Sequence, residues 1–240
     1  MSARRDISVG RVIDRALASF RALAAPAILI MLLLSALPEM GAAWAINQGR
    51  ITTIWATILQ LLLWVPLLLA QATIIHAAQQ RQAGRDTPFL QSLRAAGERF
   101  AYVLVISILT GIGVIIGLIF LVVPGVYLAV LWCVAIPAQM SRREGVLDAI
   151  NESGDLTEGR RWKVLAACVI GVVVSAVPSV VIYILNVQDQ LNSTFVDVIL
   201  SPLVNTVSHL VTAFGAAALY HELRWRDGGQ SEDSTAAVFD

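Results

Sequence analysis

Charge is scarce in this chain. Asp, Glu, Lys and Arg make up 14% of its 240 residues, where a soluble domain would carry about 25%. Hydrophobic residues reach 57%, and the formal net charge is zero. The few charges lie in short segments between long apolar runs, which excludes the broad basic surface that nucleic acid requires. Cysteine is equally sparse. Cys133 and Cys168 both fall inside apolar segments without metal-ligand spacing, so they read as small packing residues. His76 and His221 lack partners at metal-ligand spacing, and no nucleophile elbow, P-loop or zinc motif is present. No cofactor, metal or catalytic residue is expected. The basic, helix-patterned stretch of some twenty residues before the first apolar run suits an uncleaved anchor better than a cleavable signal.

What the chain has in abundance is apolar runs of membrane-spanning length. A helix needs about 20 apolar residues to cross a hydrocarbon core of about 30 Å. Six runs approach this: 23–44, 51–75, 101–123, 126–140, 164–185 and 195–220. A tight turn is expected at Asn47-Gln48-Gly49-Arg50. Pro124-Gly125 is expected to break the third run from the fourth, which is short for a full crossing. Pro38 and Glu39 mark the approach of the first span to its interface. The polar segment 227–240 reads as a disordered tail on a single membrane domain, 1–226.

The basic residues are distributed with one-sided parity. Five arginines precede the first run (Arg4, Arg5, Arg11, Arg15, Arg21), and four lie between the second and third (Arg81, Arg85, Arg94, Arg99). Arg142, Arg143, Arg160, Arg161 and Lys163 lie between the fourth and fifth, Arg224 and Arg226 follow the last, and Arg50 alone falls on the other side. Cationic loops are retained in the cytoplasm during insertion, so both termini are expected there. Treating 101–140 as one re-entrant unit would misplace Arg142 and Arg143. The fold class is therefore all-α: a polytopic bundle of six transmembrane helices. Trp44, Trp55, Tyr102, Trp132, Trp162, Tyr220 and Trp225 lie near span ends, as interface anchors do.

The basic segments carry a helical apolar stripe. Val9, Val12, Ile13, Ala16, Leu17 and Phe20 share one face before the first span, with Arg11, Asp14 and Arg15 off it. Phe89, Leu90, Leu93, Ala96 and Phe100 do the same before the third. Val146, Leu147, Ile150 and Ser153 begin the pattern before the fifth, where 153–159 interrupts it. The first two align at an offset of eighty residues, and the third needs about five more. This reads as three copies of an interfacial amphipathic helix followed by a two-helix hairpin.

Several short motifs are distinctive. They are 121–128 (Leu-Val-Val-Pro-Gly-Val-Tyr-Leu), Ala135-Ile136-Pro137 and 145–150 (Gly-Val-Leu-Asp-Ala-Ile), then Ser153, Leu156, Thr157, Gly159, Arg160, Arg161 and Trp162. The last is 219–224, Leu-Tyr-His-Glu-Leu-Arg. Together they resemble the membrane domain of glycerophosphoryl diester phosphodiesterases and the related YciC-like bacterial inner-membrane proteins, over nearly the whole chain. The resemblance marks Pro124, Gly125, Ser153 and Gly159 as structural motif residues. It implies a membrane anchor or accessory module, because no soluble segment approaches the ~250 residues of the catalytic barrel.

The remaining polar candidates lie in the sixth run. Ser201, Asn205, Ser208 and Thr212 recur at helical spacing, with His209 beside them and Pro202 as a kink. Asn205, Ser208 and His209 either line a cavity or form interhelical hydrogen bonds. Gly113 and Gly117 suit close helix packing, and Pro26, Pro66 and Pro178 suit kinks. Glu39, Asp189 and Asp197 are carboxylates at the outer ends; three near one face could bind a cation, but each reads more simply as an interface residue. The expected function is a non-catalytic membrane protein acting in a lipid or envelope process, with membrane lipids and a protein at the cytoplasmic face as partners. The alternative is a small transporter or lipid-handling permease, marked by a hydrated cavity at Asn205 and His209. Cysteines introduced at Gln48 and Gln190 should react with an impermeant thiol reagent from outside the cell. Those at Gln82 and Glu144 should react only from the cytoplasm, and reversed accessibility would refute the orientation.

Overall fold

The computed structural model describes residues 8–141, 145–187 and 193–239, the side chains of 185–193 and 226–239 excepted. It is all-α, with no strand among the described residues, and six of its helices are long and apolar enough to cross a membrane. The first span joins α1 (Val9–Met31), a π-helical turn (Leu32–Ala36) and α2 (Leu37–Asn47). The second is α3 (Thr53–Gln82); α4 (Phe89–Glu98) then leads into the third, α5 (Phe100–Phe120). The fourth combines α6 (Val122–Trp132) and α7 (Ala135–Ser141), and α8 (Val146–Thr157) leads into the fifth, α9 (Arg161–Val187). The sixth joins α10 (Ser193–Phe195), a second π-helical turn (Val196–Leu200) and α11 (Ser201–Phe239). The backbone of α11 is thus continuous across the segment expected to be a disordered tail.

Its surface identifies the solvent. Ile119, Phe120 and Val123 are 77–78% exposed, and α9 presents Val172, Val173, Val177 and Tyr183 outward. Contiguous apolar faces of this extent are stable only against lipid or a partner. The chain is a multi-pass membrane protein.

Three local expectations are corrected. The first amphipathic segment is not a separate interfacial helix, because α1 runs unbroken from Val9 into the span. Its apolar stripe, open to lipid or bundle on the sequence, is divided: Val12 is buried with Ser19, Ile13 and Leu17 are over 40% exposed, and Arg11 and Arg15 point to α11. In lipid the apolar stripe turns outward and the polar side can face the bundle. Second, the hairpin between the third and fourth spans breaks at Leu121, which is extended (φ −166°, ψ 146°), and not at Pro124-Gly125. Pro124 falls in the first turn of α6, where its missing N–H costs nothing. Third, α8 continues through Ser153 and Gly154 to Thr157.

Small residues close the α5–α6 hairpin. A Cβ on Gly117 would lie 2.9 Å from the Gly125 Cα, and one on Gly125 would lie 2.5 Å from the Leu118 side chain and 2.7 Å from its backbone nitrogen. Gly113 sits beneath the Trp132 ring, where a Cβ would come within 2.4 Å of it. Trp132 is therefore a packing residue. Tyr220, 3% exposed, is another expected interface anchor that proves internal.

The final helix organises the core. Leu210, Ala213, Phe214 and Ala217 join one cluster with Ala27, Met31, Ile74 and Ala78 from the first two spans. Ala218, Leu219, Tyr220 and Leu223 join a second with Val130, Val134, Ala149 and Val164. Phe20 meets Phe214 edge to face at 5.6 Å, and Cys133 and Cys168 are free thiols packed against the second cluster. Gly125→Ala should cost about 1–3 kcal/mol through overpacking. Gly111→Ala, with nothing within 4 Å of its Cβ, should be neutral or slightly stabilising. Thermal unfolding of the two purified variants in detergent tests the contrast.

Candidate functional site

Two helices share a local device at the end opposite the basic loops. Pro38 and Pro202 each stand two residues after a π-helical turn. A proline ring inside a helix collides with the carbonyl four residues back and leaves it without a donor. In both cases the preceding residue bonds one position farther back, Leu37 N–H to the Leu32 carbonyl and Ser201 N–H to the Val196 carbonyl. The widened turn relieves the collision, and such turns recur at functional sites. Pro26, Pro66 and Pro178, expected to kink their spans, lie in unbroken α-helix.

These paired turns flank a cleft of about 410 Å³ between the first, second and sixth spans. Glu39 enters from α2; Gln60, Leu63, Trp64, Leu67, Leu68 and Gln71 from α3; Asn205 and His209 from α11. The carboxylate of Glu39 accepts from the Ser35 hydroxyl at 2.8 Å through one oxygen and from the Asn205 amide at 3.3 Å through the other. Gln71 Nε2 lies 3.4 Å from His209 Nδ1. Glu39 lies eight residues before the end of α2 at Asn47, about 12 Å short of the helix end.

The structure therefore divides the sixth-span candidates. Asn205 and His209 face the cleft. Ser208 instead donates to the Ser175 carbonyl at 2.8 Å, tying α11 to α9. Thr206 and Thr212 bond carbonyls of their own helix, those of Pro202 and Ser208. Asp197 lies in the second π-helical turn, and Asp189 lies outside the described residues. Of the motif residues, Ser153 donates to the Leu131 carbonyl at 2.7 Å and docks α8 on α6. Gly159 follows α8 with φ +70°, a conformation that favours glycine. None of Pro124, Gly125, Ser153 and Gly159 reaches the cleft; they set backbone geometry.

The basic end is closed by ion pairs. Glu222, fully buried, receives Arg11 Nη2 at 3.0 Å and Arg15 Nη1 at 2.5 Å. Arg15 also lies 3.2 Å from His221 Nδ1. Tyr220 donates to Glu152 at 3.0 Å, linking α11 to α8, and Arg224 donates to Tyr220 and to Ser141. Arg99 donates to the carbonyls of Gln139 and Met140 near the end of α7. A hollow of about 440 Å³ beside α8 holds Asp155, Glu158 and Arg161. Its mixed charges point to no single ligand. No group of three or more metal-ligating side chains occurs among the described residues.

Reading the sequence missed Glu39 as a cleft residue, together with Gln60, Trp64 and Gln71. A signal existed: positions 60, 64, 67, 68 and 71 form one helical stripe, and two glutamines interrupt an apolar run. Glu222 was quoted within a motif and given no role. No family model, curated protein or solved structure matches the chain.

Replacing both guanidiniums (Arg11→Ala with Arg15→Ala) leaves a buried carboxylate without its ion partners and should destabilise the protein by about 3–5 kcal/mol. Adding Glu222→Leu should restore much of that loss. Unfolding of the double and triple variants in detergent provides the comparison, and equal stability would refute the clasp.

Proposed function

We propose that the chain handles a polar small molecule or lipid headgroup inside the bilayer, through the cleft between its first, second and sixth spans. The observation that carries this reading is the convergence of Asn205 and His209 with Glu39 and Gln71 in a hollow of about 410 Å³. The pairs Asn205–Glu39 and Gln71–His209 also join helices, but unlike Ser208 with Ser175 they border open volume. Here Asn205 is exposed and the glutamines extend the polar lining along α3. Cavities in bundles bounded by interrupted helices are a recurrent form of transporter binding site.

The basic end is assigned to the cytoplasm of a bacterial inner membrane on the arginine parity. Kinship with the membrane domain of glycerophosphoryl diester phosphodiesterases and YciC-like proteins is part of the same proposal, and no phosphodiesterase activity is carried over. An additional accessory role is supported at the basic end. There Leu90, Leu147 and Trp162 of α4, α8 and α9 are 74%, 69% and 83% exposed, suited to the headgroup layer or a membrane-bound partner.

Mass spectrometry of the protein released intact from native membranes should find a retained lipid or small molecule. Leu63→Trp, which fills the cleft, and Asn205→Leu should reduce its occupancy about tenfold, equivalent to about 1.4 kcal/mol. Undiminished occupancy in folded variants would sink the cleft reading.

A further inference from the structure

We infer that the group the cleft takes is a cation of the ammonium class, seated between the Glu39 carboxylate and the Trp64 indole. The inference rests on the cleft reading and names its ligand chemistry.

Charge comes first. Among the described residues, Glu39 is the only acidic side chain lining the cleft, and no arginine or lysine lines it. Both carboxylate oxygens accept from neutral donors, Ser35 and Asn205, and Glu39 joins no ion pair identified among the described residues. Those two bonds orient the carboxylate without neutralising it. The contrast with Glu222 is direct: that carboxylate is met by two guanidiniums and fully buried. A carboxylate about 12 Å inside a helix end is costly without a counter-charge. His209 lines the same cleft with its Nδ1 beside Gln71 Nε2 at 3.4 Å.

Shape comes second. Trp64 stands at the lip of the cleft with 61% of its surface exposed, well inside α3 (Thr53–Gln82) and not at its end. An indole face attracts ammonium groups, and aromatic walls beside a carboxylate are the usual means of holding them. The remaining acceptors, the side-chain carbonyls of Gln60 and Gln71, suit N–H donors. Leu63, Leu67 and Leu68 form an apolar floor, and Leu61, Leu62 and Val65 continue that surface outward toward lipid. An anionic headgroup would meet Glu39 with like charge and find no cation. A zwitterionic lipid with an amine head and a free organic amine share the chemistry that fits.

The test uses the full-length protein in nanodiscs. Retention of phosphatidylethanolamine and phosphatidylglycerol is measured by native mass spectrometry, alongside titration with free ethanolamine. Wild type should prefer phosphatidylethanolamine. E39Q, which preserves shape and removes charge, should lower that preference about tenfold, the scale of a lost charge-assisted contact. Trp64→Leu, an exposed position that folding tolerates, should lower it about threefold, the scale of a cation–π contact, and so gives a reading even if E39Q does not fold. Binding of ethanolamine that phosphatidylethanolamine does not displace would support the same site with a soluble amine as its source. A preference for phosphatidylglycerol, or amine binding unchanged in both variants, would overturn the inference. If the retained ligand is neutral or anionic yet is lost in Leu63→Trp, the cleft reading stands and the ammonium assignment fails. If nothing is lost in Leu63→Trp, both fail.

Discussion

Lipid offers no hydrogen bonds, and every polar group within the bundle must find its partner in protein or in an enclosed polar space. The sixth span bears most of that constraint. It carries Asn205, Thr206, Ser208, His209, Thr212, Tyr220 and Glu222, and nearly every one is answered by a named partner. Ser208 meets a carbonyl of α9, Tyr220 meets Glu152 of α8, and Glu222 meets Arg11 and Arg15 of α1. The same helix contributes apolar residues to both core clusters. Removing it would leave the other spans without a common surface.

The two ends of that helix solve the constraint differently. Toward the basic end, a carboxylate meets guanidiniums, and the region is tied shut by side chains from α1, α7 and α8. Toward the other end, a carboxylate meets only neutral donors beside open volume. Both use proline-compatible or charge-compatible local geometry, yet only the second sets a carboxylate without an ion pair beside open volume. That asymmetry is why the cleft, and not the larger collection of charges, is the site proposed for a ligand.

Much of the architecture was legible in the chain. Six runs of apolar residues reappear as six helices, and the turn at Gly49 follows the first as expected. The site was half legible. Asn205 and His209 stood out because polar residues in an apolar run are conspicuous, but Ser208 looked identical to them and proved to be an interhelical bond. Glu39 was read as an outer-end carboxylate, without its partners across the cleft. The π-helical turn lets the helix pass through Pro38, and this accommodation depends on backbone geometry that residue types alone do not show.

The sequence by itself determined the number of spans, their basic and non-basic ends, and the all-α class, because these follow from hydropathy and charge summed over many residues. Tertiary structure decided which face of each helix turns inward. It directed Arg11 and Arg15, first read only as lying off the apolar stripe, to Glu222, some 210 positions away in the chain. It also brought Glu39, Gln71 and His209 from three separate spans around one hollow. Rotation of a helix about its axis is set by its neighbours in space, and in a bilayer an apolar stripe can face either lipid or protein.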